Sequence, residues 1–109
     1  VTKESVKRDF IFIDDIVNAF YKAMKTKLNY GEIINIGTGK QCSNKQIVKK
    51  LEKILKIKLK IGIFPKRAWD TNNWVSDNSK AKKLLKWTPK YSLEQGLKKT
   101  IKWHKKNNV

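Results

Sequence analysis

Apolar and polar positions along the chain change period several times, and each change marks an element. Phe10-Ile11-Phe12-Ile13 is wholly apolar, aromatic and β-branched, which predicts a buried strand. Asp14 and Asp15 end it and suit a helix start, as cap and first-turn anion. Val17, Phe20 and Met24 then recur at helical spacing with Ala19 and Ala23 beside them, so a helix over 15–27 with one buried side is expected. Asn29-Tyr30-Gly31 stops it. Residues 32–36 read as a second strand. A helix between two strands favours parallel pairing and an α/β class.

Gly37-Thr38-Gly39 turns the chain, and Ser43 with Gln46 makes a capping box. Ile47, Leu51, Ile54 and Leu55 give a helix over 44–56 its apolar stripe. Residues 59–64 alternate and predict a third, half-exposed strand ended by Pro65. An irregular, aromatic and charged segment follows over 65–77, a composition typical of binding loops. Asp77 or Asn78 can cap a short helix through Leu85. Trp87 and Pro89 close that unit. A second capping box, Ser92 and Gln95, opens a last helix carrying Leu93, Leu97 and Ile101 to about Lys105. The expected class is therefore mixed α/β, in the order β-α-β-α-β-α-α.

Length and charge narrow this picture. With 109 residues the chain is one domain or part of one. It opens on Val1 with no initiator methionine, an unusual start for a native protein. No signal peptide is expected, since no apolar run precedes a small-residue cleavage site. No run approaches the roughly 20 apolar residues that span a bilayer. The single cysteine, Cys42, excludes an internal disulfide and fits a reducing, cytoplasmic compartment. The net charge of +17 suggests an anionic partner. Of the 26 basic residues, however, all but Arg8 and Arg67 are lysines scattered along the chain. That pattern fits solvated faces better than clustered nucleic-acid recognition.

The candidate chemistry starts at the glycine turn. Gly37-x-Gly39 matches the first half of a dinucleotide fingerprint, but Cys42 stands where the third glycine belongs, and 57–63 carries no carboxylate. A phosphate-binding Walker loop fails as well, because Ile34 occupies its first glycine position. A plain strand-to-helix turn accounts for both glycines. No nucleophile constellation stands out: His104 is the sole histidine, and Cys42 has no histidine near it in sequence. His104 and Cys42 cannot furnish a four-ligand zinc site of Cys and His. Asp14 and Asp15 could be an acid/base pair, though helix capping explains them. Arg8 and Arg67 could grip phosphate oxygens bidentately or form ordinary ion pairs. Asp70 could accept from a sugar hydroxyl or orient Arg67. Trp87 and Trp103 fit helix-end packing, and Trp69 and Trp74 are the candidate contact residues of the loop.

Taken in order, the segments resemble a known family. Arg8-Asp9-Phe10-Ile11-Phe12-Ile13-Asp14-Asp15 resembles the RDF-strand-DD segment of NAD-dependent nucleotide-sugar epimerases and dehydratases, the extended short-chain dehydrogenase/reductases. Gly31 to Gly39 is similar to their G-x-x-Y-N-I-G-S-G strand and turn, and Arg67-Ala68-Trp69-Asp70 to their R-x-G-D. Residues 76–89 resemble D-x-S-K-A-x-x-x-L-G-W-x-P, and Ser92 to Leu97 resembles S-L-E-E-G-L. Trp69 and Lys86 stand where the family usually has glycine.

The resemblance covers the C-terminal part of such an enzyme, and the Rossmann glycine motif and Tyr-x-x-x-Lys pair have no counterpart here. It implies that Arg8 and Arg67 hold a nucleotide diphosphate and that Asp70 lies at the ribose. Trp69, from the loop's composition, and Asn35 complete the candidate substrate contacts, and no catalytic, cofactor-binding or metal residue is expected in this chain. It implies one C-terminal substrate-binding unit over 1–109. In it, 8–38 packs toward a missing Rossmann sheet with 31–36 at the sheet edge, 39–89 forms a substrate lobe, and 90–109 a C-terminal helix. NAD is expected to be bound by the missing N-terminal part. Expected partners are the nucleotide-sugar, that N-terminal domain and a possible second copy. The competing class is a small basic nucleic-acid-binding module, with Trp69 and Trp74 stacking bases.

Overall fold

The computed structural model describes residues 6–62, 64–65 and 67–108. Four helices and a small sheet form a mixed α/β unit: β1 (Lys7–Arg8), α1 (Ile13–Lys25), β2 (Cys42–Ser43), α2 (Asn44–Leu55), α3 (Ser79–Leu85) and α4 (Leu93–Lys106). None of these helices is long and apolar enough to cross a membrane.

Where local chemistry specifies a helix, the helix forms. Both capping boxes close. Ser43 Oγ accepts from the Gln46 N–H while Gln46 Oε1 accepts from the Ser43 N–H, and Ser92 and Gln95 do the same at α4. At α3 it is Asp77, not Asn78, whose carboxylate takes the free Ser79 N–H, at 2.9 Å. At α1 the expected aspartate cap does not form. Phe12 is the N-cap, without a side-chain bond, and Asp14 and Asp15 fall in the first turn. Asp15 instead turns inward. Buried, it accepts from the N–H groups of Lys90 (2.8 Å) and Tyr91 (3.1 Å), tying the start of α1 to the approach to α4.

The strands depart from the expected positions. β1 and β2 pair antiparallel, Lys7 opposite Ser43 and Arg8 opposite Cys42. Residues 10–12, 32–36 and 59–62 join no ladder, Ile63 lies outside the described residues, and Phe64 holds an isolated bridge. The reason is that a strand needs a neighbour's backbone. The side chains of 31–36 nevertheless alternate between exposed and half-buried, as a strand edge does. Ile34 and Ile36 pack on the core, while Ile33 is 78% exposed.

The core is Ala19, Ala81, Leu85 and Trp87, with Ile11, Ala23, Leu28, Ile34 and Ile36 against it. The fully buried Trp87 donates its indole N–H to the Asp15 carbonyl at 3.0 Å. Trp103, expected at a packed helix end, is exposed on α4. α1 packs on α3, and α2 on α4. Gly96 lets α4 approach the chain before α1, since a Cβ there would stand 3.0 Å from Phe12 Cβ.

The buried side of α1 also differs from expectation. Asp15, Ala19 and Ala23 face the core, while Val17, Phe20 (69% exposed) and Met24 (84% exposed) join Ile13 in an outward stripe. At about 100° per residue, that stripe lies roughly 130° around the helix from the buried one. Both faces are apolar enough to want cover, and among the described residues one is covered.

Candidate functional site: an arginine pair around Asp70

β1 carries Arg8 to the loop that follows residue 66. The Arg8 guanidinium donates through Nη1 to the carbonyls of Lys7 (2.8 Å) and Thr71 (2.9 Å), and through Nη2 to Asp70 Oδ1 at 3.3 Å. Its Cζ sits 5.9 Å from the Trp74 ring centroid, a cation–π distance. The other Asp70 oxygen accepts from the Arg67 N–H at 3.1 Å, and the Asp70 N–H returns to the Arg67 carbonyl at 3.1 Å. One carboxylate thus joins the two arginines. The Arg67 guanidinium makes no hydrogen bond or ion pair among the described residues and is exposed.

The loop is held along its length. The Lys7 N–H donates to the Asn72 carbonyl at 2.9 Å. Gln41 donates to Asn73 Oδ1 at 2.9 Å and accepts from the Trp74 N–H at 3.1 Å. Trp69 stands exposed in the turn between Arg67 and Asp70. It is not among the described non-glycine residues with positive φ, so its backbone accommodates the tryptophan without strain.

The glycine turn does cradle an anion, but an internal one. The Asp9 carboxylate accepts from the N–H of Thr38 (2.9 and 3.1 Å), from the N–H of Gly39 (2.9 Å) and Ser76 (3.1 Å), and from the Thr38 hydroxyl. Burial alone would raise the Asp9 pKa. The donors from Thr38, Ser76 and Gly39 outweigh it and hold the carboxyl below the usual 3.8. Gly37 is required for the approach. A Cβ there would collide with Ser76 Cβ and stand 2.8 Å from Asp9 Oδ2. Asn78 closes the turn from the other side, donating to the Gly37 carbonyl at 2.6 Å. The N–H groups of Thr38, Gly39 and Ser76 are thus committed to Asp9.

Of the expected site residues, Arg67, Trp69 and Asp70 share one loop, and β1 brings Arg8 against it. Asn35 hydrogen-bonds to none of them and lies in the segment packed on the core through Ile34 and Ile36. Trp74 joins the cluster through Arg8. Asp9 and Gln41 were missed as site-forming residues, because their partners lie 67 and 33 positions away at most. The thiol of Cys42 is pushed up by burial, against the pull of Lys50 and with a further rise from Asp9, so it stays protonated. No cluster of three or more His, Cys, Asp or Glu suited to a metal is found among the described residues. The arrangement offers planar cationic donors for an anion, one carboxylate for hydroxyls and exposed aromatic faces.

Comparison with known proteins gives these features a context. The family model for GDP-mannose 4,6 dehydratase matches residues 2–100. A UDP-glucuronate 4-epimerase of Thermodesulfobacterium geofontis is 44% identical over 101 residues, 92% of this chain and 31% of that protein. UDP-arabinose 4-epimerase 1 of Arabidopsis thaliana is 39% identical over 100 residues, 90% of this chain and 24% of that protein. Among solved structures, the UDP-glucose 4-epimerase of Thermotoga maritima with UDP-glucose superposes with a TM-score of 0.88 at 35% identity, over 100% of this chain and 36% of that one. The UDP-glucuronic acid 4-epimerase of Bacillus cereus, in complex with UDP-glucuronic acid and NAD, gives 0.87 at 33% identity, over 97% and 34%. The chain spans about a third or less of the length of these relatives.

Proposed function

The chain belongs to the GDP-mannose 4,6 dehydratase family of nucleotide-sugar enzymes, and from that premise we propose that it is the substrate-binding C-terminal portion of an NAD-dependent nucleotide-sugar epimerase or dehydratase. Its task is to hold the nucleotide diphosphate. The observation that carries this is the Asp70 carboxylate joining Arg8 and Arg67, with the Arg67 guanidinium open to solvent. Two guanidinium planes suit a diphosphate, whose oxygens accept paired hydrogen bonds. Asp70 holds Arg8 in place and is placed to accept from a ribose hydroxyl, with Trp69 beside it.

Chemistry at the sugar, and NAD itself, we assign to the polypeptide outside residues 1–109. The filled glycine loop supports that assignment for NAD. The outward stripe of α1 and the unpaired alternation over 31–36 support the docking of 8–38 on that missing part, with 39–89 as a substrate lobe and 90–109 as the closing helix. A second copy of the chain is the other occupant the α1 stripe could take. A cytoplasmic location suits an enzyme of this kind with a free thiol. The alternative, a basic nucleic-acid module, finds no support in the relatives.

The test is calorimetric titration with UDP. Arg67→Ala weakens binding by about 1–3 kcal/mol, the scale of charged hydrogen bonds; equal affinity would remove Arg67 from the site. The chain alone turns over no nucleotide-sugar, and measured turnover would overturn the division of labour.

A further inference from the structure

We propose that Asp9 is the positioning residue of the anion site: seated among the donors of Thr38, Gly39 and Ser76, its carboxylate fixes the far end of the 70–76 loop and so keeps Asp70, Thr71 and Trp74 around Arg8. The proposal rests on Arg8 and Arg67 being the diphosphate grip.

The geometry is that of a two-point clamp. At the near end, Lys7 and Arg8 hold the loop through the Asn72 and Thr71 carbonyls and Asp70. At the far end the next residue along, Asp9, holds the Ser76 N–H. Three consecutive residues of one short segment therefore fix a loop that starts more than 60 positions away. The Thr38 and Gly39 donors lock the carboxylate so that it cannot swing with the loop. Gly37 and Asn78 complete the lock, one by its missing Cβ and the other by its bond to the Gly37 carbonyl. An amide at position 9 keeps one acceptor oxygen and brings N–H groups against the N–H groups already there, leaving the part-buried Thr38 and Ser76 donors poorly paired.

Charge and position make opposite predictions here. Asp9 is an anion next to the proposed diphosphate grip, so removing its charge alone would strengthen anion binding. If it positions the grip, removal weakens binding.

The experiment measures UDP affinity and amide hydrogen exchange in the wild-type chain, Asp9→Asn and the milder Thr38→Val, which deletes the hydroxyl donor. Asp9→Asn is expected to weaken UDP binding about tenfold and Thr38→Val a few-fold, the range for one to several lost hydrogen bonds. Exchange should quicken at Lys7 and Ser76 while α2 and α4 amides keep their protection, which a global loss of stability would not allow. Unchanged or tighter UDP binding by a folded Asp9→Asn overturns the proposal, as does unchanged exchange at Lys7. If Asp9→Asn does not fold, Thr38→Val decides by the same two readouts. If the wild-type chain binds no UDP, the diphosphate grip is refuted. The Lys7 exchange then judges the clamp separately, quickening upholding it and constancy overturning it.

Discussion

The Arg8 guanidinium and the Asp70 carboxylate, 62 positions apart in the sequence, meet at 3.3 Å. Through the same carboxylate Arg67 is drawn in by its backbone N–H, so the two arginines play unequal parts. Arg8 is built into the structure by its bonds to Thr71, Lys7 and Asp70, and Arg67 presents a guanidinium with no partner among the described residues. Arg8→Ala is therefore expected to cost about 1–2 kcal/mol of folding stability, and Arg67→Ala less than about 0.5 kcal/mol. Urea denaturation of the two variants measures this. Equal losses would mean that Arg67 has a structural partner.

Acid should release Asp9. Its pKa in the folded chain is lowered from the usual 3.8, because the donors from Thr38, Ser76 and Gly39 outweigh the burial that would raise it. A carboxyl depressed on folding adds stability that is present above its unfolded pKa and is lost as pH falls through the folded value. The stability gap between wild type and Asp9→Asn should stay constant from about pH 7 to about pH 5 and narrow below about pH 4. A gap that narrows between pH 5 and 7 would mean that the carboxyl is not held below its ordinary range.

Lys86 holds a left-handed backbone at a thermodynamic cost. It caps α3 with φ +52°, in the left-handed region, where a Cβ is disfavoured. Its carbonyl accepts from Lys22 Nζ at 3.0 Å, a bond that a substitution of the side chain leaves intact. Lys86→Gly is expected to stabilise the chain by about 0.5–1 kcal/mol, read as a rise in Tm. A fall in Tm would show that the lysine side chain contributes a contact outweighing the backbone relief.

The outward face of α1 should be silent in the isolated chain and decisive in the longer one. Phe20 and Met24 are more than two-thirds exposed, so Phe20→Gln with Met24→Gln should change the chain's own stability by less than about 0.5 kcal/mol per site. In a polypeptide that includes the N-terminal part, the same pair should weaken its association with this unit. A large loss of stability in the chain alone would place these residues in its own core.

Legibility in the sequence followed the range of the interactions. The boxes Ser43–Gln46 and Ser92–Gln95 are local, and both helices start where they say. The strand expected over 32–36 forms no ladder, although its side chains alternate in exposure, because alternation belongs to the chain and pairing belongs to a neighbour. The stripe of Val17, Phe20 and Met24 was recognisable as apolar, yet nothing in one sequence distinguishes a face covered by its own chain from one awaiting another. Arg8, Arg67, Trp69 and Asp70 were legible as candidates, through residue type and resemblance. Asp9 was not, since its partner Ser76 lies 67 positions on; a carboxylate one residue after an arginine and a glycine turn with no ligand to hold were the available signals. Trp103 was misjudged because an aromatic residue on a helix end signals packing without naming the surface it packs on.

The claim that this unit grips a nucleotide diphosphate is tested most directly by following the side-chain N–H signals of Arg8 and Arg67 and the indole signals of Trp69 and Trp74 while UDP is added to the chain. Saturable shifts are expected at both arginines and at Trp69 and Trp74, lost in Arg67→Ala and absent with uridine, which lacks the phosphates. Shifts confined to the lysines of α2 and α4, or equal responses in Arg67→Ala, would contradict it.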